Sequence, residues 1–155
     1  MIIQVYRLAI VGLLVVGAYD LFTSFVGAVS LFNLSGESPL YFWGLPAAIG
    51  IGAFSLNLIT QAIWDKRQGM RGIMLVWGAF LIYDYYTSYL GLANIVRGGE
   101  PWKMNLASIE TVIQVLSLEQ VAAITIIALI VVVSPMTAFV VIRRLSELQR
   151  KNDDT

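Results

Sequence analysis

Four long apolar stretches separated by short polar segments set the pattern of this chain. Residues 8–32, 45–64, 72–96 and 121–142 are apolar almost throughout, and each reaches the length of about 20 residues that a helix needs to cross a hydrocarbon core. The period-two alternation of a barrel strand is absent. Backbone groups in lipid must be satisfied within their own segment, so the stretches predict four transmembrane helices in a single membrane domain, residues 1–155. Arg7 ahead of an apolar run, with small residues at Gly27, Ala28 and Ser30, has the outline of a cleavable leader. The run is too long for one, and its motif recurs inside the third span, so it is read as a retained helix.

That recurring motif organises the chain. Tyr19-Asp20-Leu21-Phe22-Thr23-Ser24-Phe25-Val26-Gly27 aligns with Tyr83-Asp84-Tyr85-Tyr86-Thr87-Ser88-Tyr89-Leu90-Gly91. With one gap the match extends to Gly36-Glu37 against Gly99-Glu100, each followed closely by a proline, Pro39 and Pro101. Basic runs, Lys66-Arg67 and Arg143-Arg144, end both halves. The second and fourth spans share little beyond hydropathy. Each half holds two spans, so the copies enter the membrane in the same direction, related by a pseudo-two-fold axis along the membrane normal. The repeats run from about 4 to 68 and from about 70 to 150; residues 151–155 form a frayed cytoplasmic tail. The expected fold is therefore all-α, an integral membrane four-helix bundle of two parallel two-span repeats.

The connections differ between the halves. The first outer loop, 33–44, is short and turn-rich. The second is about twice as long and carries Leu106, Ile109, Val112, Ile113 and Leu116 on one helical face, which predicts an amphipathic helix between spans three and four. Such a helix lies along the outer interface or caps a neighbouring subunit; a re-entrant pore helix is the sharper alternative. Gly44, Ala48 and Gly52 recur at the small-xxx-small spacing that lets helices approach closely, within or between subunits. Pro135 should kink the fourth span, with Ser134 or Thr137 at hand to satisfy the freed backbone.

Composition fits this picture and narrows the chemistry. The chain is 58% hydrophobic and 13% charged, about half the charge of a soluble domain. It has no Cys and no His, which excludes disulfides, thiol catalysis, thiolate or imidazole metal sites and the usual neutral-pH general base. No nucleotide-binding glycine loop, zinc spacing or EF-hand pattern occurs, so neither a cofactor nor a nucleic-acid partner is expected.

Equal numbers of acidic and basic residues hide an asymmetry. Arg7, Lys66, Arg67, Arg71, Arg143, Arg144, Arg150 and Lys151 fall on one side of a four-span path, and only Arg97 and Lys103 on the other. Basic residues near short loops resist translocation, so both termini are placed in the cytoplasm, in a plasma or bacterial inner membrane. Tyr41, Phe42, Trp43 and Trp102 near the outer boundary, with Tyr6 and Trp64 near the inner one, suit interfacial anchors. The basic start of the tail attracts anionic lipid headgroups.

Two acids fall in neither boundary region. Asp20 and Asp84 sit near the middle of their spans, where an acid costs about 2.5–3.5 kcal/mol to insert. An intramembrane acid is a functional-site hypothesis by default, and here one motif occurs twice. Helical spacing puts Asp20, Thr23, Ser24 and Gly27 on one face, and Asp84, Thr87, Ser88 and Gly91 on another. These stripes should face protein or water, meeting across the two-fold axis or alternating around an oligomer ring. Asn57, Thr60 and Gln61 are possible polar partners, and Tyr83, Tyr85, Tyr86 and Tyr89 could extend a hydrogen-bond network around Asp84. With no Lys, Arg or His inside the spans, burial and mutual repulsion favour a neutral or proton-sharing pair.

Two functions remain in contention, the first as the preferred reading and the second as its alternative. In one, the carboxylates and hydroxyls line an oligomeric cation- or proton-conducting pore. In the other, the same residues are polar glue in a non-catalytic structural or assembly subunit of a larger membrane complex. Catalysis by one carboxylate pair without His, Cys or cofactor has little basis. The lipid bilayer is the expected partner, together with further copies of the chain or other membrane subunits.

Overall fold

The computed structural model describes residues 2–34, 38–58, 60, 71–98 and 106–153. Among these the chain is all-α, with no strand. Four long helices and one short one follow in order: α1 (Ile2–Leu31), α2 (Leu40–Leu58), α3 (Arg71–Val96), α4 (Ile109–Val115) and α5 (Leu118–Asp153). Two of them, through Arg7–Leu31 of α1 and Leu118–Leu148 of α5, are long and apolar enough to cross a membrane. In α2 the apolar segment Phe42–Leu56 is shorter. The expected second span reaches to residue 64, and 59 and 61–64 lie outside the described residues, as do Lys66, Arg67, Glu37, Glu100, Pro101, Trp102 and Lys103. At 26 residues α3 is long enough, but Asp84 and four tyrosines lower its hydropathy.

The most extensive contact joins α1 and α3. Ser30 of α1 lies 3.4 Å from Asn94 of α3, at the same end as the shared motif, so the two helices run parallel. Against α1, α2 is antiparallel: Gly17 approaches Phe54, and Phe25 packs on Trp43 with ring centres 6.5 Å apart. The long α5 packs against both α1 and α3, and α2 touches α1, α3 and α5. Near the start of α3 the Trp77 indole donates to Thr60 Oγ1 at 2.9 Å, tying α3 to the end of the α2 segment.

Pro135 sits inside α5 without ending it. A proline withdraws the amide that would serve the carbonyl four residues back, here that of Val131. Ser134 Oγ donates to that carbonyl at 2.8 Å, and Thr137 Oγ1 donates to the Ser134 carbonyl at 2.8 Å. The Ser134 hydroxyl thus replaces the donor that the pyrrolidine ring removes.

The short α4 folds onto its own chain. Val112 is fully buried in a cluster with Leu90, Leu92 and Ala93 of α3 and Ile124 and Ala128 of α5, with Ile109 and Leu116 partly buried beside it. Ile113, expected on the same face, is 54% exposed. The apolar stripe is therefore narrower than its sequence spacing suggested: a seven-residue helix makes barely two turns, and α3 and α5 cover one edge of it.

Polar groups share the interior with apolar ones, and many large apolar side chains face outward. Asp20, Thr23, Ser24, Asp84, Thr87, Ser88 and Asn94 are buried, whereas Leu75 is 77%, Ile82 71% and Leu118 84% exposed. Apolar side chains such as Leu8, Val15, Ile126 and Ile130 also face outward, forming the kind of contiguous apolar surface that soluble monomers avoid.

Candidate functional site

The two Asp-Thr-Ser-Gly stripes meet inside one chain. At their closest approach no side chain separates the helices. A Cβ on Gly27 would run into the backbone carbonyl of Thr87, and one on Gly91 into that of Thr23. Small-residue contacts of this kind bring helix backbones together, and they set the spacing at which the neighbouring hydroxyls and carboxyls interact.

Around this crossing the hydrogen bonds are reciprocal. Ser24 Oγ donates to Asp84 Oδ1 at 2.7 Å, and Ser88 Oγ donates to Asp20 Oδ1 at 2.9 Å. The two serine oxygens lie 2.8 Å apart. Thr23 Oγ1 is 3.3 Å from Ser88 Oγ, and Thr87 Oγ1 is 3.3 Å from Ser24 Oγ. Each threonine hydroxyl also reaches the backbone of its own helix, Thr23 to the Asp20 carbonyl at 3.0 Å and Thr87 to the Asp84 carbonyl at 3.1 Å. Exchanging 20 for 84, 23 for 87, 24 for 88 and 27 for 91 maps these contacts onto themselves; Thr87 Oγ1 adds a bond to the Tyr83 carbonyl at 3.0 Å that lies outside this symmetry. All six polar side chains are at most 3% exposed. Water would otherwise compete for these groups, and its exclusion makes each bond matter more to the fold.

Other sequence candidates lie elsewhere. Thr60 pairs with Trp77 and with the Leu56 carbonyl rather than with either acid. The side chain of Asn57, and all of Gln61, are outside the described residues. The tyrosines add no described hydrogen bond to Asp84: the Tyr83 hydroxyl is buried without a partner, and Tyr85, Tyr86 and Tyr89 pack against the α3–α4–α5 cluster. Gly44 and Ala48 face outward, and a Cβ on Gly44 would meet nothing within 4 Å, so that part of the small-residue stripe makes no close helix contact within the chain. A Cβ on Gly52 would lie 3.6 Å from the Phe80 ring, an ordinary van der Waals contact. Among the described residues no group of three or more His, Cys, Asp or Glu could hold a metal ion.

Sequence reasoning missed one polar node. Asn94 is fully buried, as many positions after Asp84 as Ser30 is after Asp20. Its side chain takes both backbone groups of Ala107, accepting from the amide at 2.7 Å and donating to the carbonyl at 3.2 Å. Ser30 Oγ donates to the same carbonyl at 2.7 Å. The segment that leads into α4 is thereby fastened across the C-terminal ends of α1 and α3. The signal was a lone amide in an apolar stretch, aligned with a hydroxyl. Asn94→Ala should cost about 1–3 kcal/mol, the usual penalty for stranding buried backbone groups. It should be read as faster proteolysis or amide exchange at residues 106–116, with little change at the α1–α3 crossing.

No protein-family model, no curated protein and no solved structure matches this chain.

Proposed function

We propose that this chain is an integral membrane protein of four spans built from two parallel two-helix repeats, and that it acts as a non-catalytic structural or assembly subunit of a larger membrane complex. The observation that carries this reading is the α1–α3 contact. The polar stripes are spent on each other within one chain, in a reciprocal and buried clasp, and do not face an intersubunit lumen. The exposed face supports the bilayer, because large apolar side chains cover it while Asp20 and Asp84 are buried. The distribution of basic residues supports cytoplasmic termini in a plasma or bacterial inner membrane. The outward-facing Gly44 and Ala48 suit packing against another membrane helix, from a second copy or a different subunit.

The competing reading is an oligomeric cation- or proton-conducting pore. One observation favours it: four oxygens, from Asp84, Ser24, Ser88 and Asp20, form an unbroken row across the helix pair, suited to protons rather than to a bare cation. Replacing both Asp20 and Asp84 by Asn separates the two. A structural clasp predicts that the double variant inserts and assembles like the parent, with unchanged ion flux in liposomes. Flux present in the parent and abolished in a normally assembled variant would establish conduction instead.

A further inference from the structure

Three oxygen–oxygen contacts run in series across the α1–α3 crossing: Asp84 Oδ1 to Ser24 Oγ at 2.7 Å, Ser24 Oγ to Ser88 Oγ at 2.8 Å, and Ser88 Oγ to Asp20 Oδ1 at 2.9 Å. All are of hydrogen-bond length, and each needs one hydrogen between its oxygens. A serine hydroxyl brings one hydrogen, and an ionised carboxylate brings none. With both acids ionised, Ser24 must donate to Asp84 and Ser88 to Asp20. The two serine oxygens would then face each other at 2.8 Å with their lone pairs opposed and no hydrogen to bridge them. The threonines do not mend this, since their hydroxyls approach the serines from outside the row, at 3.3 Å, and lie nearer their own backbone carbonyls. One additional proton gives every contact in the row its hydrogen.

We propose that Asp20, Ser24, Ser88 and Asp84 hold a single proton in common. Placed on Asp20, it makes that acid donate to Ser88, Ser88 to Ser24, and Ser24 to the Asp84 carboxylate. Placed on Asp84, it reverses all three bonds. Passing from one arrangement to the other breaks three O–H bonds and forms three, and it transfers one negative charge between α1 and α3 without loss of a proton or an electron pair. Because the contact is reciprocal, either arrangement gives every contact in the row its hydrogen. The contacts that the two acids make across the crossing are with hydroxyls and not with a cation. Between Leu40 and Leu58 α2 has no charged residue, and the charges of α5 lie at its ends, Glu119 at one and Arg143 and those beyond it at the other. On α3 the titratable group facing Asp84 is Tyr83, whose hydroxyl is buried without a partner.

This inference rests on the clasp reading of the same residues. Infrared spectra of the purified protein in lipid nanodiscs at neutral pH test it, because exposed carboxylates are then ionised and a protonated carboxyl has its own carbonyl stretch. The parent should show the band of one such group. Asp20→Asn and Asp84→Asn should each abolish it, because the new amide N–H supplies the hydrogen and leaves the remaining Asp as a pure acceptor. Absence of the band in the parent overturns the proposal, as does survival of the band in both single variants, which would mean two independently neutral acids. Should a variant not fold, ¹³C NMR of the parent labelled at its aspartate carboxyls counts the protonated groups directly. A folded parent without the band that is still destabilised by Gly27→Ala would leave the clasp standing and remove only the shared proton.

Discussion

Gly27→Ala, a change of one methyl group, should be among the most damaging substitutions in the chain. Its Cβ would occupy the space of the Thr87 carbonyl, and backbone cannot move aside as a flexible side-chain end can. The helices must separate, and separation lengthens the contacts that hold Asp20 and Asp84. Overpacking alone costs about 1–3 kcal/mol, and each buried polar group left unpaired adds about 1–3 kcal/mol, so a loss on the order of 4 kcal/mol is expected. Gly91→Ala should behave the same way, since its Cβ would strike the Thr23 carbonyl. Gly12 and Gly78 serve as controls. They lie in the same two helices with nothing within 4 Å of a new Cβ, and alanine there should be neutral or stabilising by roughly 0.5–1 kcal/mol. Thermal unfolding in detergent or nanodiscs provides the comparison, and equal behaviour of all four variants would refute the close crossing.

The second large effect should come from the serines, and its form matters as much as its size. Ser24→Ala removes the donor to Asp84 and one side of the Ser24–Ser88 contact, and Ser88→Ala does the same for Asp20. Hydrogen bonds to charged or strongly polar buried groups are worth about 1.5–3 kcal/mol, above the roughly 0.6 kcal/mol average of interhelical bonds in membranes. Each single variant should therefore lose about 2 kcal/mol. Because both act on the shared central contact, the double variant should lose less than the sum, with a coupling of at least about 0.5 kcal/mol. Strict additivity would show that the serines act separately and that the row of contacts is not a unit. Ser55→Ala, at an exposed hydroxyl that bonds only the Ile51 carbonyl of its own helix, should change little.

Much of this arrangement is legible in the sequence because helical periodicity is a strong constraint. Once Asp20 and Thr23 lie on a helix, their spacing places Ser24 and Gly27 on the same face, and the second copy of the motif does the same for Asp84. Periodicity gives the face but not the partner. That the stripes turn toward each other, and not toward a lumen or a second copy, depends on how α2 and α5 pack around them, and those helices carry no shared motif. The short α4 shows the same limit: its residues repeat at helical spacing, yet which edge is covered was decided by Leu90, Leu92 and Ile124 from elsewhere. Asn94 was hidden for a different reason. Its partners are the backbone amide and carbonyl of Ala107, and backbone groups leave no trace in a residue pattern. For Ser134 the partner could be inferred, because Pro135 determines which carbonyl loses its amide.

The reciprocity of the α1–α3 crossing bears on how the chain can meet other helices. A surface whose contacts are returned by its counterpart is isologous, the kind that closes a two-fold homodimer and leaves nothing over for a third member. Here both partners belong to one polypeptide, so the crossing is already closed and offers no face to a second copy. Contact with any further helix falls to surfaces outside it, such as the one that carries Gly44 and Ala48.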